Sequence, residues 1–327
     1  MYQKYYTYHS LLTVLVIFGI ILLITSSIIS CQKKGSTASK KEEEANEPVR
    51  KALGWVSAHP ANFHDGMFIE ISEEILAFYV LNRYTKDQSE KDNYLKEIKK
   101  RFDLIASNRE LKAQSNEYTM VLAITEVAQK LGLDVPELKK IIETQLIPDP
   151  LLFPSHITSR IWDTVYLKRL GYTPAATLEE SMPLSTLSQE VNQKLLFQYT
   201  KAQFNPMYVD PMATTIYDMT HEIFALTDFG ELPPPSIITE NDAYFSQLFN
   251  QTIDWAITAT HEDVLAELIM CVKILNLKNV PSVQRGLNYL VSRQEKDGSF
   301  GETNPGRANI YRHGILVSIM ALTMWGQ

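Results

Sequence analysis

A chain of 327 residues, 45% hydrophobic and 21% charged, has the apolar content of a folded protein with a sizeable core and not that of a disordered polymer. Its 31 Lys and Arg stand against 38 Asp and Glu, for a net charge of −7, and no run of bases occurs, which argues against a nucleic-acid partner. Two cysteines, Cys31 and Cys271, are too few for a disulfide framework.

The first element in chain order stands outside the fold. Lys4 is the only charged side chain before residue 33, and Leu11 to Ile29 is almost wholly apolar over a length that reaches across a bilayer. The run ends Ile28-Ile29-Ser30-Cys31, with an aliphatic residue three before the cysteine and a small residue just before it. That ending resembles a bacterial lipobox. The resemblance implies a signal peptide over 1–30, a lipid on Cys31, and a body held outside the cytoplasm at the cell membrane or outer membrane. An uncleaved membrane anchor with Cys31 incidental is the alternative. Gln32 to Asn46 holds no apolar residue larger than Ala, so 31–46 reads as a flexible tether and the folded body is expected over 47–327.

From Pro48 onward apolar residues recur at helical spacing, and strand-like alternation is scarce. The pattern predicts helices near 48–58, 67–84, 89–107, 116–131, 136–145, 156–170, 187–200, 211–228, 241–258, 262–276, 281–294 and 310–325. Their ends are punctuated: Asp210 before Pro211 and Gly230 beyond, Ser115 and Gly132, Ser155 and Gly171. The segment 281–294 is amphipathic, whereas 310–325 is apolar on nearly every side and must be buried. Exposed and buried helices in alternation suit two concentric rings. The expected fold is all-α, an (α/α)6 toroid of about six helical hairpins.

One motif sharpens that expectation. Arg285-Gly286-x-x-Tyr289-Leu290-x-x-x-Gln294-x-x-x-Gly298-x-Phe300 resembles the QW repeat of terpenoid cyclases, with Phe300 where that family has Trp. Gln294, at the end of an outer helix, is placed to bond the backbone of a neighbouring helix. Lys51-Ala52-x-x-Trp55-Val56 repeats the first half, with Pro60 at the position of the Gln. The resemblance extends to the fold shared with protein prenyltransferases and stops short of their chemistry. D-x-D-D, D-D-x-x-D, the prenyltransferase Asp-x-Cys pair and the G-C-G-E-Q thioester sequence are all missing. The stretch Tyr217-Asp218-Met219-Thr220-His221-x-x-Phe224-x-x-Thr227-Asp228-Phe229-Gly230 is similar to a motif of uncharacterised bacterial single-toroid proteins, which brings no activity with it.

On a helical wheel of 211–228, Met212, Ile216, Met219, Ile223 and Leu226 share one face, and Thr214, Asp218, His221 and Asp228 lie opposite. On an inner ring that polar stripe faces the central cavity. Asp218 and His221, three apart, are spaced to pair, and such a histidine is a general base, a metal ligand or a structural hydrogen-bond partner. Glu267 and Cys271 sit four apart on an otherwise apolar helix, and His313 opens the last one. His221, Asp228, Glu267 and His313 form a mixed nitrogen and oxygen set of the kind zinc accepts, if the fold brings them together. Asp163 and Glu117, on or just before buried helices, read as hydrogen-bonded structural acids. With no phosphate loop, nucleophile elbow, H-E-x-x-H or C-x-x-C present, a toroid cavity that binds a small molecule or peptide is the favoured function. A zinc-dependent or acid/base hydrolase or lyase acting through His221 and nearby acids is the alternative.

Overall fold

The structure is a computed structural model and describes residues 47–61, 68–108, 117–147, 157–173, 211–300 and 308–326. The expected signal segment over 1–30, Cys31, the expected tether and the helix expected over 187–200 lie outside the described residues. The chain divides into two compact units, Met1–Glu47 and Pro48–Gln327, and the fold below is that of the second. No described helix is long and apolar enough to cross a membrane.

The body is all-helical. Its helices are α1 (Glu47–Ala58), α2 (Phe68–Tyr84), α3 (Gln88–Ser107), α4 (Tyr118–Lys130) and α5 (Pro136–Ile141), followed by α6 (Ile157–Arg169) and α7 (Pro211–Thr227). After them come α8 (Ser236–Glu240), α9 (Asp242–Ala259), α10 (Glu262–Ile274), α11 (Ser282–Ser292) and α12 (Ala308–Gly326). The described residues include no β-strand, only one isolated bridge between Gln294 and Phe300. Two details differ from the periodicity. The helix expected over 136–145 is α-helical to Ile141 and then a π-helix over Ile142–Leu146. The five-residue α8 follows Pro233-Pro234-Pro235, and its run is too short for a periodic signal.

Six helices pack in a closed cycle: α2 on α4, α4 on α6, α6 on α7, α7 on α10, α10 on α12 and α12 back on α2. Their burial explains why. Most of α2, α10 and α12 is inaccessible, so each needs neighbours on several sides. Four of the remaining helices pack on members of this cycle: α3 on α2, α5 on α4, α9 on α10, and α11 on α10 and α12. The strongly amphipathic α11 buries Val283, Gly286 and Leu290 and leaves the opposite side to solvent.

Neighbouring helices of the cycle run the same way, because their matching ends meet. Basic residues fill the last turns of α2, α4 and α6 (Arg83, Lys130 and Arg169), where the negative ends of helix dipoles favour cations. These three converge on the end of α7. Lys130 Nζ pairs with Asp228 and lies 2.9 Å from Glu231, Arg169 Nη1 is 3.7 Å from Asp228, and Arg83 Nε is 3.1 Å from Glu231. Asp228 and Phe229 both adopt left-handed backbone, φ 50°, so α7 stops sharply and presents that carboxylate.

The Gln294 motif ties the first described helix to the end of α11. Gln294 Nε2 donates to the Pro48 carbonyl at 2.7 Å and to the Gly298 carbonyl at 3.2 Å, while Phe300 is buried beside it. Gly298 has φ +96°, and a Cβ there would collide with the Lys51 carbonyl, so the turn accepts no other residue without strain.

Candidate functional site

In the first half of the buried helices the sequence places acids, an arginine and a histidine among apolar residues. On α2 these are Glu70, Glu73 and Glu74, on α10 Asp263 and Glu267, and on α12 Arg312 and His313. Ring packing forces each polar group to find a partner on the next helix. Two networks result.

The first is a buried ion cluster. Arg312 of α12 pairs with Glu74 and, at 3.3 Å, with Glu70, and it donates to the His59 carbonyl at 2.7 Å. Arg101 of α3 completes it through Glu74 at 2.6 Å. Both guanidinium groups and both α2 carboxylates are nearly inaccessible, and the cluster pins α2 to α3 and α12.

The second network is a relay of alternating acids and imidazoles drawn from four helices. Glu73 Oε1 of α2 is 3.2 Å from His313 Nδ1 of α12. His313 Nε2 is 3.3 Å from Glu267 Oε1 of α10, and the same oxygen is 3.2 Å from His221 Nε2 of α7. Thr220 Oγ1 donates to the other oxygen, Glu267 Oε2, at 2.5 Å. Glu267 is 1% exposed, whereas the His221 and His313 side chains are 30% and 26% exposed. Burial favours the neutral acid, but the two imidazoles outweigh it and bring the Glu267 pKa down to about 2. Burial likewise disfavours an imidazolium, yet Glu73 and Glu267, on its two nitrogens, hold His313 protonated well above the ordinary histidine range.

His221 is held by aromatic neighbours. Its ring lies edge-on to Trp162 of α6, with centroids 5.4 Å apart, and between Tyr217 and Phe224 of its own helix at 5.8 and 6.1 Å. Trp162 Nε1 donates to the His221 carbonyl at 2.6 Å, and the Tyr217 hydroxyl donates to Asp263. Burial, with Asp263 beside it, pushes the Tyr217 hydroxyl well above its usual pKa, so it stays a donor.

Of the residues expected at the site, His221, Glu267 and His313 are together. Asp228 is not with them. It lies seven residues beyond His221, about 10 Å along the helix axis at 1.5 Å per residue, in the cationic cluster at the helix ends. The crevice beside it, lined by Tyr79, Glu126, Tyr166 and Phe229 among others, has no room for a water molecule. Asp218 is buried on α7, and the partner His221 finds is Glu267 of the next helix, not Asp218 on its own. Cys271 is fully buried, with its thiol 3.9 Å from the Thr220 carbonyl and its pKa pushed well up by burial, so it packs as a small apolar residue. Glu117 accepts the Phe68 backbone N–H at 3.1 Å, and Asp163 accepts the Thr119 hydroxyl at 2.8 Å. Burial raises Asp163 to about 7 despite that bond.

Glu73, Thr220 and Trp162 were not expected at the site. A signal for Glu73 existed in the three acids at the head of a helix that is apolar from Ile75 to Leu81, Ile69-Glu70-Ile71-Ser72-Glu73-Glu74-Ile75. Among the described residues no group of three or more His, Cys, Asp or Glu side chains is set to hold a metal ion.

The chain belongs to a family described as a domain of unknown function (DUF6895), which matches residues 50–313, from α1 to the His313 of this relay. No curated protein and no solved structure matches.

Proposed function

We propose that this chain is a lipid-anchored protein of a bacterial cell envelope. On this reading its body is a single (α/α)6 toroid that holds a small molecule or peptide at the site around His221. The closed cycle of six helices, with further helices packed against it, supports the toroid. The lipobox-like Ile28-Ile29-Ser30-Cys31 supports the address, at the cell membrane or outer membrane with the body outside the cytoplasm. Ligand binding is carried by one observation: two partly exposed imidazoles from different helices are fixed on one buried carboxylate. Four helices hold these groups in place, and rigid placement of convergent polar groups is what a binding site requires.

Two experiments test this reading. Fatty-acid labelling should mark the wild type and not Cys31→Ser, and equal label on both would remove the lipoprotein assignment. A thermal-shift screen of envelope-derived small molecules and short peptides should find one that raises the melting temperature of the wild type but not of His221→Ala. A compound that stabilises both equally binds elsewhere.

The second reading, an acid/base hydrolase or lyase, is favoured by the buried Glu267 behind a partly exposed His221, since a carboxylate on one imidazole nitrogen orients the other for proton transfer. The zinc-dependent form of that reading finds no support among the described residues.

A further inference from the structure

Glu267 Oε1 faces two imidazole nitrogens and Oε2 accepts the Thr220 hydroxyl. A carboxylate is an acceptor only, so both nitrogens on it must carry hydrogens. For His313 both ring nitrogens then donate, Nδ1 to Glu73 and Nε2 to Glu267, and the ring is an imidazolium. For His221 the hydrogen sits on Nε2. Its Nδ1 makes no hydrogen bond among the described residues, and the ring is partly exposed.

We propose that the lone pair on His221 Nδ1 is the proton acceptor of the site, and that Glu267, His313 and Glu73 are positioning residues that fix its tautomer and keep it aimed. Glu267 fixes the tautomer, and His313, clamped between two carboxylates, keeps Glu267 ionised. The transfer is a simple one. A ligand O–H or N–H bond breaks, its electron pair stays on the ligand atom, and a new Nδ1–H bond forms. The resulting imidazolium is stabilised by Glu267 on its far side. The surroundings also choose the ligand class. The carboxyl groups of Glu73, Glu267 and Asp263 outnumber the single imidazolium of His313, so a phosphate or carboxylate is repelled. The molecule accepted is neutral or cationic and brings a hydroxyl or amine. This inference rests on the proposed ligand site for its use, but its test needs no ligand.

The test is a long-range proton–nitrogen correlation spectrum of the full chain in detergent micelles, with only histidine labelled with nitrogen-15, at pH 7. His221→Asn and His313→Asn assign the two rings. Two protonated nitrogens are expected for His313, and for His221 a protonated Nε2 with a lone pair on Nδ1. The opposite tautomer of His221, a doubly protonated His221, or a neutral His313 would each overturn the proposal. Glu73→Gln does not touch His221, yet it should shift the His221 nitrogen signals through the relay, and unchanged signals would remove Glu73 and His313 as positioning residues. Glu267→Gln should leave His221 in a mixture of tautomers. If that variant does not fold, the wild-type spectrum alone decides the tautomer. A failed ligand screen with the expected spectrum would overturn the binding reading and leave the relay standing.

Discussion

Replacing Glu267 by Gln should remove a pH-dependent contribution to stability whose size and sign follow from the relay. The carboxyl falls from an ordinary 4.5 to about 2 in the folded protein, against the opposing effect of burial. At about 1.4 kcal/mol for each unit, the difference corresponds to about 3 kcal/mol of stability. Because the folded pKa is the lower one, this contribution is complete above pH 4.5 and is lost as the pH falls towards 2. His313 acts in the opposite sense. Its folded pKa is raised, so its contribution is complete below about 6.5 and is lost as the pH rises through the higher folded value. The relay therefore supports the fold best between about pH 4.5 and 6.5. In Glu267→Gln the amide cannot balance two imidazole N–H groups and leaves the His313 charge half-paired, which is the expensive way to break a buried pair. Urea unfolding followed by circular dichroism at pH 6 should show a loss of about 3 kcal/mol relative to wild type, shrinking towards zero as both proteins are taken to pH 2–3. A penalty below about 1 kcal/mol at pH 6, or one that stays constant across that range, would refute the reasoning, because neither is compatible with an ionised Glu267 as the hub.

Three further outcomes are expected. Ile223→Ala, at a fully buried position of α7, should destabilise by about 2–5 kcal/mol, whereas His221→Ala on the same helix should lose only about 1 kcal/mol, because water can take its place on Glu267; equal losses in denaturant titrations would make His221 a structural residue. Gly298→Ala should lower stability by about 2 kcal/mol or more, since it adds a Cβ at positive φ against the Lys51 carbonyl, and a melting temperature within 2 °C of wild type would show that this turn can relax. A chain beginning at Glu47 should melt within about 5 °C of the full protein, because residues 32–46 have no apolar side chain larger than Ala with which to dock; a larger drop in calorimetry would show that they do dock.

The stretch Tyr217–Gly230, on and just beyond α7, acquires a physical meaning residue by residue. Tyr217 bonds Asp263, Thr220 and His221 hold Glu267, and Phe224 stacks on Phe229 with centroids 5.0 Å apart. Thr227 bonds back to the Ile223 carbonyl at 2.6 Å, Asp228 takes Lys130, and Gly230 sits where a Cβ would strike the Tyr84 hydroxyl. This one stretch thus serves both the relay and the charged cluster at the helix ends, which accounts for the density of polar residues in it.

The sequence by itself determined the helical class and the positions of most helices, because the apolar period is a local property that each segment displays alone. It also singled out Gln294 as a backbone donor and marked His221, Glu267 and His313 as polar groups on helices that have to be buried. Only the tertiary structure decided which of these meet. A helical wheel reports azimuth and omits height. Asp228 and His221 share a face because seven residues make almost two whole turns, yet that same interval separates them by about 10 Å and sends them to different partners. Glu73 and His313 are 240 residues apart, and they touch only because α12 returns to pack on α2 and closes the cycle. Local periodicity carries no information about that closure, and the relay exists only once it is made.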